Sequence, residues 1–480
     1  MIWILVLAVC FNSLFILFAY LDWNTLVQSL QDVIFYRVLG FTIFQGAVSA
    51  VCSVAMGIVA APGYARLACY WRKPIRGILL FPNMMSPVIV VLSLILTINR
   101  FPYGFWGIII GHVFLNCGLA TIWLGEAWLD LESRWRAVAL VSGAKSWSYI
   151  IRIILPLLKN HILSTLGVIF SLCISSFAIP LVLGGGPQYS TLEVLIFEKI
   201  QTQGDVRGAV TLGFLQCLIQ LALFAVILRP MLLNKERRLT WNSKSGPSSW
   251  SLVTLVVAGF SFWPVLILFW SGIDSLASFS ANLNSEVFIS AFKTTLEVSI
   301  FVGATVGILM ILLTTWGWRH VLSLLPALSG VAVGLGGVLW FGMSVVSNSV
   351  TLILVLLLGQ LAVIFLPIFR LSVNSLQEIR NRYSLVLQQL GAPSFFSLKR
   401  VYLKVGLKYY LAAAILGACW SAGEFSVASM VGPSQSTLPL YIQSLLGSYR
   451  LDEAALNSLT LLFLSGLSVL MLEVISYGMD

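Results

Sequence analysis

Residues 350–371 read VTLILVLLLGQLAVIFLPIFRL, and the one charged side chain among them, Arg370, stands at the far end. A run of about 20 apolar residues crosses the hydrocarbon core of a bilayer as a helix. The segment that follows changes character. In residues 375–391, SLQEIRNRYSLVLQQLG, the apolar Leu376, Ile379, Tyr383, Val386, Leu387 and Leu390 recur at helical spacing, while Gln377, Glu378, Arg380, Asn381, Arg382, Gln388 and Gln389 take the other face. A membrane span therefore leads towards an amphipathic helix. Ser375-x-x-Glu378 reads as a capping box at its start, and Gly391 as its stop.

The whole chain supports a membrane setting. Of its 480 residues 59% are hydrophobic and 10% charged, whereas a soluble domain carries roughly a quarter charged residues. A membrane β-barrel is excluded as well, because its strands would show alternating polarity in segments of about ten residues. The fold class is an all-α polytopic membrane protein. Hydropathy places twelve spans, at 2–20, 38–61, 77–98, 105–128, 157–183, 208–229, 251–273, 289–316, 321–345, 350–371, 405–430 and 453–475. The first lacks a basic leader and a small-residue cleavage pattern, so it reads as a retained signal anchor. Basic residues set the orientation: 22 of the 28 Lys and Arg fall in the loops after even-numbered spans, which puts both termini in the cytoplasm. The net charge of +10 thus reflects topology, and no nucleic-acid partner is expected. The seven cysteines form no C-x-x-C pair and read as small core hydrophobes.

The sequence also repeats. Gly143-Ala144 returns as Gly391-Ala392 and Phe177 as Phe425, each 248 residues later; Thr191-Leu192 returns as Thr437-Leu438 after 246 and Asp205 as Asp452 after 247. Two six-span units of like orientation follow, residues 1–233 and 251–480, joined by a cytoplasmic linker at 234–250. The longest cytoplasmic loops, 129–159 and 373–404, come after the fourth span of each unit. In the first, Leu131, Trp135, Val138 and Ser142 make a shorter stripe that ends at Gly143. An amphipathic helix at equivalent places in two repeats reads as a docking element for a cytoplasmic partner.

These loops carry a family resemblance. Ala137-Val138-Ala139 before Gly143-Ala144, with Pro156 thirteen residues past the glycine, resembles the E-A-A-x-x-x-G loop of ABC importer permeases. Tyr383 and Leu385-Val386-Leu387 before Gly391-Ala392 resemble a second copy. Leu183-Gly-Gly-Gly-Pro187, Thr191-Leu-Glu193, Ser421-Ala-Gly-Glu-Phe425, Thr437-Leu-Pro439 and Gly447-Ser-Tyr-Arg450 are similar to the fused two-half permeases of the thiamine and iron(III) group. The pattern's Glu is replaced by Ala137 and Leu385, and Lys404 stands where the second copy should have proline. No ionic contact from that Glu is available.

The resemblance implies a transport subunit of the bacterial inner membrane, not an enzyme. It implies cytoplasmic ABC ATPase partners, two copies, at the two loops, and a periplasmic solute-binding protein that delivers thiamine or its phosphates, with iron(III) or a polyamine as the alternative cargo. ATP and magnesium would belong to the ATPase subunits. The chain agrees in having no G-x-x-x-x-G-K-[ST] phosphate loop. His112, His161 and His320 show no ligand spacing, so no metal site is expected.

Among the acids in or near spans, Glu126, Glu297 and Glu473 lie near span ends, while Glu424 falls near the middle of the eleventh, between Trp420 and Phe425. A carboxylate at that depth must face protein or water. It reads either as a structural hydrogen-bonding group or as part of a pathway for a cationic solute, with Trp420 and Phe425 offering aromatic faces. A twelve-span secondary carrier is the competing class; it would normally need more intramembrane acids and bases and would enlarge the loop between its halves. The topology is tested directly: cysteines introduced at Ser142 and Asn381 should be labelled only from the cytoplasm, and one at Gln188 only from outside. Labelling of Gln188 from the cytoplasm would sink the arrangement.

Overall fold

The computed structural model describes residues 15–98, 100–143, 146–223, 249–274, 285–315, 329–341, 349–391, 401–431 and 437–477, and among them every regular element is helical. After α1 (Trp23–Gln31), the first half runs through α2 (Val33–Ala65), α3 (Cys69–Met84), α4 (Pro87–Thr97), α5 (Phe105–Val141), α6 (Leu155–Ile174), α7 (Ala178–Leu183), α8 (Leu192–Gln201) and α9 (Val206–Leu223). The second runs through α10 (Ser249–Asp274), α11 (Glu286–Thr315), α12 (Gly330–Phe341), α13 (Ser349–Gln389), α14 (Leu403–Ala422), α15 (Ser426–Val431), α16 (Leu438–Gly447) and α17 (Leu451–Tyr477). Among the described residues nine helices are long and apolar enough to cross a membrane, or ten if one bent pair counts as a span. Residues 2–14 of the first expected span, 224–229 of the sixth, 316 of the eighth, 321–328 and 342–345 of the ninth and 234–248 of the linker lie outside the described residues.

Three expectations from the sequence are corrected. Residues 77–98 are not one rod: α3 and α4 meet at an angle of 103°, because Pro87 lacks an N–H to continue the ladder and disfavours helical backbone at Ser86 before it. The fifth and eleventh expected spans stop early. The backbone breaks after Ile174 and after Ala422, and the short helices α7 and α15 follow. The capping box at Ser375 starts nothing, since α13 runs unbroken from Ser349 through Gln389.

The helix ends repeat along the chain. α6 and α14 are offset by 248 residues at both ends, α7 and α15 likewise, and α8 and α16 by 246. One hydrogen bond repeats with them. The backbone N–H of Leu192, opening α8, donates to Thr42 Oγ1 of α2 at 3.0 Å, and that of Leu438, opening α16, donates to Thr295 Oγ1 of α11 at 2.8 Å. A buried helix start has no water to satisfy its first donors, so in each half a threonine on a neighbouring span supplies the acceptor. Asp205 plays a related role where α9 begins. The Gly208 N–H at 2.9 Å, backed by Lys199 Nζ at 3.1 Å, holds its carboxyl below the usual carboxylate range.

Lipid gives no hydrophobic drive between helices, so spans associate through close packing of small residues. A β-carbon at Gly57 of α2 would lie 2.6 Å from Ala120 Cβ of α5, and one at Gly303 of α11 would lie 2.6 Å from the Ala414 carbonyl oxygen of α14. Leu252, Val256, Trp263 and Trp270 of α10 point outward and are exposed, as the lipid-facing side of a span should be. Because the obstacle at Gly303 is backbone, Gly303→Val should cost about 1–3 kcal/mol through overpacking. The check is thermal unfolding of the purified chain in detergent; an unchanged midpoint would show that α11 and α14 separate freely.

Candidate functional site

Two places gather the residues singled out in the sequence. The first is the far end of the two longest helices. α5 carries Trp135, Ala137 and Val138 on its exposed side, with Val141 at its tip 90% exposed, while Ala139 is buried. It ends at Gly143, whose φ of +72° is a conformation that glycine adopts at little cost. α13 ends in the same way at Gly391, φ +61°, leaving Leu385, Val386 and Leu390 exposed. Tyr383 and Leu387 turn inward and pack with Ile379 and Tyr402. Pro156 and Lys404 occupy the second positions of α6 and α14, so a charged residue is tolerated where the first repeat has proline. Ala144 and Ala392 lie outside the described residues.

The end of α5 is braced by a carboxylate that the motif does not include. Glu132 is buried and accepts from Arg66 Nε at 3.3 Å and Nη2 at 3.2 Å, while Arg136 Nη1 lies 3.2 Å away. Arg66 is the residue on which α2 ends, so the clamp joins the exposed tip of α5 to a span. The charge missing at Ala137 is present one and a half turns earlier, facing inward.

The second place is the centre of the molecule. Phe177 and Phe425 occupy the two helix breaks, both 2% exposed, and their rings stack with centroids 5.4 Å apart and planes at 18°. Residues at equivalent positions of two repeats touch each other only where the axis relating the repeats passes between them. The phenyl pair therefore lies on that axis and fills it.

Beside the pair is a cavity of about 200 Å³ between the α3–α4 bend and the α14–α15 break. Asn83, Met84, Met85, Trp420, Glu424 and Phe425 are among its lining, and Glu424 brings the charge. Glu424 stands in the break rather than in mid-helix. Its Oε1 and Oε2 accept from the Val427 N–H at 3.0 and 3.1 Å, and Oε2 also from Ala428 at 3.4 Å. A carboxylate is well placed at the positive end of α15, and it keeps lone pairs for a further partner. Trp420 Nε1 is buried with no hydrogen-bond partner among the described residues.

The bend and the break come from different halves and are fastened together. Ser86 Oγ donates to the Gly423 carbonyl at 2.9 Å, and a β-carbon at Gly423 would lie 3.0 Å from Ser86 Cα. The equivalents of Trp420 and Glu424 in the first half are Leu172 and Ser176, so the cavity's chemistry belongs to one side only. Sequence reading found Trp420, Glu424 and Phe425; it missed Phe177 as their partner across the axis, although the 248-residue offset was the available signal. It also missed Ser86 and Glu132. Among the described residues no cluster of three or more His, Cys, Asp or Glu could hold a metal ion; His112 is buried against Ser49, Nδ1 to Oγ 3.2 Å.

Comparison with known proteins gives this architecture a class. Residues 53–239 match the family of the binding-protein-dependent transport system inner membrane component. That match and the relatives below support an ABC importer permease, a multi-pass inner-membrane transport subunit of a family that works with ATPase and binding-protein partners. Over most of its length it is similar to the thiamine transport system permease proteins: 27% identical to that of Escherichia coli, covering 94% of this chain and 90% of the relative. Identity is 25% to that of Salmonella typhimurium, over 92% and 89%, and 27% to that of Haemophilus influenzae, over 76% and 71%.

A substitution at the end of α5 separates docking from folding. Nothing lies within 4 Å of a β-carbon at Gly143, so Gly143→Val meets no clash and costs only backbone strain, about 1–2 kcal/mol. Membrane abundance should be unchanged, while transport and permease-stimulated ATP hydrolysis fall. Full transport by both Gly143→Val and Gly391→Val would argue against docking at these ends.

Proposed function

We propose that this chain forms the transmembrane path of an ATP-driven importer for thiamine or its phosphates, with one ATPase subunit seated at the tip of α5 and another at the tip of α13. The observation that carries the coupling half of this reading is the repeated geometry of those tips: a span prolonged as one helix, exposed apolar side chains, and a glycine at positive φ. ATP and magnesium would reside on the partners. The residues proposed for docking on the first tip are Trp135, Ala137, Val138, Gly143 and Ala144, with Ala139 and Pro156 supporting them. On the second they are Leu385, Val386, Gly391 and Ala392, with Tyr383 and Leu387 packed behind. A periplasmic binding protein would deliver solute to the opposite face, with both termini in the cytoplasm.

The substrate is argued from the relatives' names and from the cavity. Thiamine carries a permanent positive charge on one ring and has a second, aromatic ring. Glu424 would face the charge, and Trp420 and Phe425 would offer π-faces to it, an arrangement worth roughly 0.5–2 kcal/mol per aromatic contact when desolvated. The stacked Phe177 and Phe425 close the axis, so passage requires the two breaks to move apart. The halves supply the moving surfaces, and the solute follows the gap between them.

Glu424→Gln keeps the shape and the acceptor for the Val427 N–H while removing the charge. Uptake of labelled thiamine by cells relying on this importer should fall at least about tenfold, the effect of about 1.4 kcal/mol, with protein abundance unchanged. Unchanged uptake, or loss of folded protein in place of transport, would return Glu424 to a purely structural role at the start of α15. The function itself is tested by complementation. Supplied with its own ATPase and binding protein, the chain should restore thiamine uptake to a strain lacking its thiamine permease, and restoration of iron(III) or polyamine uptake alone would overturn the substrate.

A further inference from the structure

The first half holds a carboxylate with no exposure at all. Glu193, in the first turn of α8, accepts from Ser329 Oγ at 2.6 Å through Oε2 and from Gln216 Nε2 of α9 at 3.1 Å through Oε1. Gln216 belongs to the same half as Glu193. Ser329 belongs to the other half, where it stands just before α12 and its Oγ accepts the Ala332 N–H at 3.1 Å. A single serine hydroxyl therefore caps a helix of the second half and donates to a carboxylate of the first.

What α12 touches gives this contact its reach. A β-carbon at Gly330 would lie 2.7 Å from Ser426 Cβ and 3.5 Å from Glu424 Oε1, and one at Gly334 would lie 2.8 Å from Met430 Cβ. α12 and α15 are thus packed too closely to slide past each other, and α15 is the helix that Glu424 caps and Phe425 precedes. The far end of α8 also reaches this pair of helices, with Gln201 Nε2 donating to the Ser429 carbonyl at 3.2 Å. At the place of Glu193 the second repeat has Pro439, which cannot make the corresponding contact. The tie is one-sided.

We infer that Glu193 is a positioning residue of the transport cycle: through Ser329 it fastens the first half to the α12–α15 pair of the second, holding Glu424 and Phe425 in the closed arrangement until the halves separate. A buried carboxylate tolerates loss of a partner poorly, so the tie is either made or broken, which suits a two-state element.

The test uses the full chain in lipid nanodiscs with spin labels at Gln188 and Ser448, exposed positions in different halves, and reads the distance between them by pulsed resonance. Glu193→Leu removes both acceptors, and Ser329→Ala removes the donor across the halves with little change in volume. Both should shift the population towards a longer distance by roughly tenfold, as expected for losing one buried hydrogen bond. Glu193→Gln should resemble the unsubstituted chain. Its amide oxygen still accepts from Ser329, and its NH2 can turn to the Gln216 Oε1, which has no partner among the described residues. In the complete importer, Glu193→Leu and Ser329→Ala should raise solute-independent ATP hydrolysis by a similar factor. Distances that superpose on the unsubstituted chain's in both variants would overturn the inference. So would failure of Glu193→Leu to fold while Ser329→Ala behaves normally, since that assigns Glu193 to folding alone. The distance measurement uses no ATPase and no solute, so a longer distance with unaltered hydrolysis would support the tie and count against the proposed coupling to ATPase subunits, on which only the second readout rests.

Discussion

A helix that stops inside the packed interior leaves N–H and C=O groups that only protein can satisfy, and the contacts between the two halves are organised around meeting that demand. The α3–α4 bend and the α14–α15 break share Ser86, which gives its hydroxyl to the Gly423 carbonyl. The start of α15 takes the Glu424 carboxylate, the start of α12 takes Ser329, and the starts of α8 and α16 take Thr42 and Thr295. Several of these acceptors and donors come from the opposite half or from a distant span. The α3–α4 bend and the α14–α15 break thus meet where the two halves are fastened to each other.

Much of this was legible in the sequence because it rests on patterns with a period. Apolar runs such as residues 350–371 announce spans, the stripe from Leu376 to Leu390 announces a helix beyond the bilayer, and the offset between Phe177 and Phe425 announces a repeat. What escaped depends on partners far away along the chain. Hydropathy sees an unbroken apolar run across residues 77–98, although Pro87 after Ser86 marked the bend. Ser375 and Glu378 match a helix start in composition, but the span before them simply continues, and no local rule tells a capping box from two polar residues inside a longer helix. Glu193 was visible only as one member of a family-like triplet; its burial and its contact with Ser329 are tertiary facts.

The two halves are alike in backbone and unlike in chemistry. Trp420 and Glu424 face Leu172 and Ser176 across the repeat, Glu193 faces Pro439, and Pro156 faces Lys404. A pathway built from two identical chains would present each feature twice around its axis. Joining the halves in one chain lifts that restriction: the stacked phenylalanines are paired across the repeats, while the carboxylate and the indole stand on one side only.

The unbroken course of α13 has a mechanical consequence. At 1.5 Å per residue, its 41 residues make a rod about 60 Å long, roughly twice the hydrocarbon thickness of a bilayer. The helix runs on through its interior Pro367 without a break, although a proline removes one bond of the ladder there. A tilt of roughly 10° about one end carries the other sideways by about 10 Å, so the helix can act as a lever. A force applied at Leu390 is multiplied where the lever passes the core, and the stroke there is correspondingly short, the gearing needed to pull stacked aromatic rings out of contact.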